Sequence, residues 1–133
     1  MAPYPTALLV SPNEAVTHRV LRALTDADVH VVHVSSFAAA RERLADDPDL
    51  LISEVRLREH NGLHLALWAQ GLGIPVIVVG ESDPVTARDA AGGGAAYLTT
   101  EWETEQLLDA VHAAALLSTR AAFDSSSSST HAA

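Results

Sequence analysis

A chain of 133 residues is long enough to bury one hydrophobic core without metal or disulfide cross-links. It contains no cysteine, which excludes thiol chemistry and cysteine metal sites. Its 17 acidic residues against 8 Lys and Arg give a net charge of −9, so no basic stripe is present to bind nucleic acid directly. The N-terminus lacks a signal-peptide pattern and the longest apolar run is too short to cross a bilayer, so we expect a soluble cytoplasmic protein.

Short apolar runs alternate with segments of helical spacing along the chain. Strands are predicted at 7–10, 29–34, 50–52, 75–79 and 95–99. Helices are predicted at 14–27, 37–44, 62 to about 72, 85–91 and from 104 onward. This alternation predicts an α/β domain, residues 1–117, with a five-stranded parallel sheet covered on both faces by right-handed crossovers. The Ser-rich residues 118–133 are predicted to be a flexible tail or linker.

The stretch PDLLISEVRLREHNGL, residues 48–63, is where a functional site is expected. Leu50 to Ile52 form an apolar run that predicts a buried strand, and Glu54 is the acid at the carboxyl end of that strand. Open α/β sheets place ligands and chemistry outside the carboxyl ends of their strands. Glu54 therefore lies at the position where chemistry would occur.

Five segments together resemble the receiver domain of bacterial two-component response regulators. They are LLVSPNEA at 8–15, PDLLISEVRL at 48–57, NGL at 61–63, IPVIVVG at 74–80 and AAYLTTEW at 95–102. The resemblance covers roughly residues 7–117 and implies a flavodoxin-like (βα)5 fold with strand order 2-1-3-4-5. It also implies a site in which an aspartate after the third strand accepts a phosphoryl group. In that family the site includes Mg²⁺ held by an acidic pair after strand one, a Ser or Thr after strand four and a Lys after strand five.

This chain departs from the family at each of these positions. Glu54 stands at the acceptor position, Ser11 and Pro12 at the acidic pair, Gly80 at the hydroxyl position and Thr100 at the lysine position. Pro12 offers Mg²⁺ neither a side-chain oxygen nor an N–H. Without the metal and the lysine, little stabilises the charge of a transferring phosphoryl group. We therefore predict a degenerate phosphoacceptor pocket with no catalytic residue, metal or cofactor.

Glu54 itself has two interpretations. It is either a built-in negative charge that imitates the phosphorylated state, or an ordinary solvated acid paired with Arg56 or Arg58. The second is favoured, because Gly80 and Thr100 remove the partners through which a receiver senses that charge.

Four apolar residues are candidates for an interaction surface. Leu67 and Trp68 occupy positions where receivers generally carry polar residues, and they make the third helix apolar on more than one side. Either Trp68 turns into the core, or the two residues form an exposed partner patch. Tyr97 aligns with the switch aromatic of the family. Trp102 replaces the aromatic that usually follows Lys-Pro, and packing of Trp102 against the last helix is favoured over binding.

The function expected from this pattern is phosphorylation-independent protein–protein interaction in bacterial signal transduction, by a pseudo-receiver that is not an enzyme. A homodimer through the fourth helix, fifth strand and fifth helix is one expected arrangement. Two alternatives remain: a phosphorylatable receiver with an unorthodox acceptor site, and a small-ligand sensor using the same pocket. No nucleophile–base pair or cofactor fingerprint stands out in the sequence.

Overall fold

The structure, a computed structural model, describes residues 5–57, 60–92, 95–99 and 101–114. The strands are β1 (Thr6–Val10), β2 (His30–Val34), β3 (Leu50–Glu54), β4 (Arg56–Leu57), β5 (His60–Asn61), β6 (Val76–Gly80) and β7 (Ala96–Thr99). The helices are α1 (Glu14–Asp26), α2 (Phe37–Leu44), α3 (Gly62–Gly71), α4 (Pro84–Gly92) and α5, whose described residues are 104–114. The predicted tail, 118–133, lies outside the described residues. None of the described helices is both long and apolar enough to cross a membrane.

Five parallel strands form the main sheet in the order β2-β1-β3-β6-β7. Since β6 and β7 are the fourth and fifth strands of this sheet, the predicted order 2-1-3-4-5 is confirmed. Parallel neighbours need crossover connections, and the helices supply them on both faces. The remaining strands, β4 and β5, form a separate antiparallel ribbon.

Two apolar layers lie on opposite faces of the sheet. One contains residues of α1 and α5, and the other contains residues of α2, α3 and α4. The side chains of β1 divide between them: Ala7 and Leu9 belong to the first layer, Leu8 and Val10 to the second. Because both faces are covered, alternate residues of a strand are all buried. This is why the strands appear in the sequence as unbroken apolar runs.

The β4–β5 ribbon was not predicted, since two-residue strands are too short to show an alternating pattern. It bridges the end of β3 and the start of α3, and it buries the side chain of Leu57. The chain then returns to β3, where the Gly62 N–H donates to the Val55 carbonyl at 2.7 Å. A Cβ at Gly62 would overlap the carbonyl oxygen of Glu54. The start of α3 therefore packs directly on the backbone that carries the candidate acid.

At its other end, α3 turns into β6 through a left-handed glycine. Gly73 has φ +80°, and its N–H bonds to the Gln70 carbonyl at 2.9 Å. The next N–H, of Ile74, bonds to the Ala69 carbonyl at 3.0 Å, which completes a Schellman motif. Buried Ile74 anchors this turn, so α3 is held at both ends.

Replacing Gly62 with alanine should lower the free energy of unfolding by about 2–3 kcal/mol, because the added methyl group must displace backbone rather than a flexible side chain. Urea denaturation of the purified chain measures this change. Gly71→Ala is the matched control in the same helix, where a Cβ meets nothing within 4 Å and should stabilise by about 0.5–1 kcal/mol. Equal effects of the two substitutions would contradict this account of Gly62.

Candidate functional site

A cleft of about 500 Å³ lies at the carboxyl ends of β3, β6 and β7. Carboxyl ends of parallel strands meet at one edge of the sheet, so residues that follow different strands converge there. Three of the predicted pocket residues line this cleft, namely Pro12, Glu54 and Gly80. The other lining residues are Asn13, Val55, Arg56, Val79, Glu81, Asp83, Thr86 and Tyr97. Thr100, at the position of the family's lysine, lies outside the described residues.

Ser11 and Glu54 are joined by a hydrogen bond. Strands β1 and β3 are neighbours, so Ser11, just after β1, and Glu54, at the end of β3, reach the same point. The Ser11 hydroxyl, in a residue only 1% exposed, lies within hydrogen-bond distance of the Glu54 carboxylate. It also lies 3.1 Å from the Asn13 carbonyl oxygen. A hydroxyl has one proton to donate, and the carboxylate is the stronger acceptor, so that proton is directed to Glu54.

Two neighbours position the backbone of Ser11. The Ser11 N–H donates to the Val34 carbonyl at 3.1 Å, and Nε2 of His33 lies 2.9 Å from the Ser11 carbonyl oxygen. Because a carbonyl only accepts, Nε2 carries the proton in this contact. His33 was not predicted as part of the site. Its proximity to Ser11 comes from the pairing of β1 with β2, which the local sequence pattern does not reveal.

The expected pairing of Glu54 with Arg56 is wrong. The Arg56 guanidinium instead lies 3.9 Å from the carboxylate of Glu81, and both of these side chains are exposed. Arg56 follows β3 in the β4–β5 ribbon and lines the same cleft as Glu81, which is the carboxylate that its guanidinium reaches. An exposed pair at this distance contributes little to stability. Arg58, the other expected partner, lies outside the described residues.

The donor atoms at this edge do not match a Mg²⁺ site. Mg²⁺ takes oxygen ligands in near-octahedral geometry. Pro12 supplies no side-chain ligand atom, and the Ser11 hydroxyl is directed to Glu54. Within the described part of the chain, no three His, Asp or Glu side chains converge in a way that could hold a metal ion. Of the side chains at the metal-ligand and acceptor positions, Glu54 is the one carboxylate, and it already accepts the Ser11 hydroxyl, which makes a poor magnesium ligand set.

Tyr97 fills the space beside Gly80. A Cβ at Gly80 would lie 2.5 Å from the Tyr97 hydroxyl and 2.8 Å from a methyl carbon of Val55. The Tyr97 hydroxyl donates to the Glu81 carbonyl at 2.5 Å, which holds the ring across the cleft. The ring therefore occupies the place that a Ser or Thr side chain at position 80 would need. The link between Gly80 and Tyr97 is thus a direct steric one.

The wall of the cleft around Tyr97 is acidic. Burial raises the pKa of the Tyr97 phenol, and the negative charges of Asp83 and Glu81 raise it further. The pKa of Asp83 is lowered, first by the hydrogen bond from the Thr86 hydroxyl at 2.9 Å and then by the Val85 N–H at 3.0 Å. Asp83 thus stays ionised while it caps the start of α4.

Trp68 is on the surface, so the alternative in which it turns into the core is wrong. It is 42% exposed, and its neighbour Leu67 is 60% exposed. The guanidinium of Arg41, on α2, stacks over the Trp68 ring with 4.3 Å to the ring centroid. The α3 backbone is held at both ends, so this face of the helix cannot rotate toward the sheet.

Trp102 is buried, so the favoured packing of this residue against the last helix is confirmed and its place among the candidate surface residues is wrong. It is 2% exposed and belongs to the same core layer as Leu107 and Val111 of α5. A tight turn after β7, in which the Trp102 N–H bonds to the Thr99 carbonyl at 3.0 Å, directs the indole inward. The Arg19 guanidinium covers the ring at 4.2 Å from its centroid.

Tyr97 should titrate above the ordinary tyrosine pKa of about 10. The folded state then holds the phenol proton more tightly than the unfolded chain does. This contributes stability that is present below the unfolded pKa and is lost as the pH rises through the folded pKa. Alkaline absorbance titration and urea denaturation as a function of pH measure the two effects. Tyr97→Phe, which leaves Tyr4 as the other tyrosine of the chain, should remove both.

Gly80→Ser should expel the Tyr97 ring from the cleft, because the new Cβ takes the position of the phenol. The pKa of Tyr97 should then return toward about 10, since burial is its largest perturbation. The same absorbance titration measures it. Gly92→Ser is the control, because a Cβ there meets nothing within 4 Å. An unchanged Tyr97 pKa in Gly80→Ser would refute the steric link.

Solved receiver domains share this fold. The receiver domain of an HD domain-containing protein from Pseudomonas fluorescens Pf-5 matches with TM-score 0.81 and 22% identity, over 90% of this chain and 93% of that one. A receiver domain protein from Clostridium thermocellum matches with TM-score 0.76 and 19% identity, over 84% and 94%. A CheY-like receiver domain protein from Methanospirillum hungatei JF-1 matches with TM-score 0.74 and 20% identity, over 88% and 98%.

Comparisons of the sequence with known proteins assign no family to the chain. No model of a protein family matches the chain. Autophagy-related protein 2 of Yarrowia lipolytica is 40% identical over 93 residues, which are 68% of this chain. The chain spans only 5% of the length of that protein, so the overlap assigns no family. At the low identities of the solved structures, the similarity establishes the architecture: the chain has the flavodoxin-like α/β fold of response regulator receiver domains.

Proposed function

We propose that this domain is a pseudo-receiver of a bacterial response regulator, which acts in the cytoplasm through protein–protein contact and neither accepts phosphate nor catalyses a reaction. The observation that carries the proposal is the hydrogen bond between Ser11 and Glu54. In this bond Ser11, at a metal-ligand position of the receiver pattern, is paired with Glu54, at the acceptor position. Phosphoryl transfer depends on positioning and on stabilisation of charge, and this pair supplies neither a metal nor a cation.

Glu54 serves in this proposal as a structural partner of Ser11 rather than as an imitation of phosphate. A switch requires contacts that differ between two states. Gly80 has no side chain through which the charge of Glu54 could be relayed to Tyr97. The Tyr97 hydroxyl is instead held by the backbone carbonyl of Glu81, a contact that does not depend on Glu54. We therefore infer that the domain keeps one conformation of this edge.

The face formed by α4, β7 and α5 is the proposed contact surface for another protein. Val85 on α4 is 65% exposed and supplies an apolar contact. Residues 95–114 contain four acids and no Lys or Arg. Two copies meeting through this face would bring like charges together, whereas a basic protein surface would be attracted to it. For that reason we assign this face to a basic protein partner rather than to the homodimer suggested by the family resemblance.

A small-ligand sensor is the second candidate function, favoured by the volume of the cleft. Its walls carry Glu54, Glu81 and Asp83, so a neutral or positively charged ligand would be preferred over an anion. A receiver with an unorthodox acceptor is the third. It requires Mg²⁺-dependent labelling that is lost in Glu54→Gln.

Amide NMR during titration with Mg²⁺ and then beryllofluoride, a phosphoryl mimic, tests the proposal. The signals of Ser11, Glu54, Gly80 and Thr100 should stay in place, because the donor set for the metal is missing. The positive control carries Ser11→Asp, Pro12→Asp, Glu54→Asp and Thr100→Lys together, and its signals should shift saturably. Saturable shifts in the wild-type chain would mean that the site is an active receiver with unusual ligands, contrary to the proposal.

A further inference from the structure

The outer surface of α3 is apolar. Leu67 and Trp68 are exposed there, and Leu72, at the C-terminal cap of the same helix, is 51% exposed. We call these three residues the α3 patch. Among the described residues, the one other exposed large apolar side chain is Val85 on α4. Grouped exposed apolar side chains of this size mark interaction sites more often than isolated ones do.

The α3 patch lies in an uncharged part of a strongly acidic chain. Residues 60–80, which include all of α3, contain no Asp, Glu, Lys or Arg. Two copies of a chain with net charge −9 repel each other. That repulsion is weakest where the facing surfaces carry no charge and the charged groups lie further apart. Of the surfaces of this domain, α3 is therefore one that a second copy can approach.

Opposite charges flank the patch. On the α2 side, the Arg41 guanidinium stacks on Trp68. On the α4 side, Asp89 lines a groove of about 120 Å³ together with Leu67 and Gln70. Helices α2, α3 and α4 contribute to the same core layer, so they lie side by side over one face of the sheet. A guanidinium thus lies against one side of the patch and a carboxylate beside the other.

We propose that the α3 patch is a homodimer interface in which two copies pack face to face about a two-fold axis parallel to α3. Rotation about that axis places α2 of each copy over α4 of the other. Arg41 of each copy then faces Asp89 of the other, and the two apolar patches meet between these pairs. A two-fold axis perpendicular to α3 within the interface would instead place Arg41 opposite Arg41. The surface is thus complementary to itself in one orientation.

This dimer is independent of the state of the cleft, so it goes beyond the pseudo-receiver proposal and does not rest on it. It also leaves β7 and α5 open to a different partner. Three apolar side chains on a short helix form a small interface, and small interfaces give weak, concentration-dependent association. The full-length chain should therefore exist as a monomer and a dimer in exchange.

Sedimentation equilibrium of the full-length chain tests the patch itself. Leu67→Lys should lower the association constant by at least about tenfold, because it places a charge in the apolar centre of the interface. Leu72→Lys, at a second exposed position, is a further variant with the same expected result. Ala113→Lys adds the same charge on the exposed side of α5, which packs on the opposite face of the sheet, and should leave the association unchanged. Far-UV circular dichroism and cooperative urea unfolding establish that each variant is folded.

Charge reversal tests the orientation. Arg41→Glu and Asp89→Arg should each weaken association by about tenfold, because each creates two like-charged pairs across the two-fold axis. The double variant, which carries both changes, restores opposite charges and should recover association to within about threefold of wild type. Arg22→Glu makes the same change in net charge on the exposed side of α1, on the opposite face of the sheet, and should have no effect.

Three results would overturn the proposal. The first is a wild-type chain that stays monomeric at every concentration tested. The second is a dimer that survives both Leu67→Lys and Leu72→Lys, or one that only Ala113→Lys disrupts. The third is a double charge variant that associates no better than the two single variants, which would exclude the parallel two-fold arrangement.

Discussion

One hydrogen bond, from the buried hydroxyl of Ser11 to the carboxylate of Glu54, determines what the carboxyl edge of this sheet can do. It forms because β1 and β3 are adjacent and end at the same level. The backbone on both sides is held firmly: His33 and Val34 position Ser11, and Gly62 packs against the carbonyl of Glu54. The short side chain of Ser11, just after β1, thus hydrogen-bonds to the longer side chain of Glu54, at the end of β3. In the proposed pseudo-receiver, the side chains at a metal-ligand position and at the acceptor position are therefore bonded to each other.

The contact between Gly80 and Tyr97 at the same edge also pairs two neighbouring residues with each other. Gly80 has no side chain, and the Tyr97 ring fills the space beside it and donates its hydroxyl proton to the Glu81 carbonyl. In both cases a substituted position is matched by a neighbour that packs against it. In the proposed pseudo-receiver, this packed and hydrogen-bonded edge is the physical basis for one state rather than two.

If the cleft does not switch, the surfaces carry the function. Charge divides them into an acidic side at β7 and α5 and an uncharged apolar ridge at α3. In our proposals the first surface attracts a basic partner, and the second meets a second copy through Arg41 and Asp89. Stacking of Arg41 on Trp68 covers one face of the indole while it leaves the guanidinium at the surface. The same contact therefore shields an exposed aromatic ring and presents a charge beside it.

The sequence by itself determined the fold class, because strands buried on both faces appear as unbroken apolar runs such as Leu50 to Ile52, and these alternate with helical spacing. It also located Glu54, Pro12 and Gly80 at one edge, since strand ends are predictable from such runs. Only the tertiary structure decided that Ser11 is the partner of Glu54, that Trp68 is exposed and that Trp102 is buried. The reason is that a side chain's partner and exposure depend on which elements lie beside it, and residues distant in sequence supply those elements.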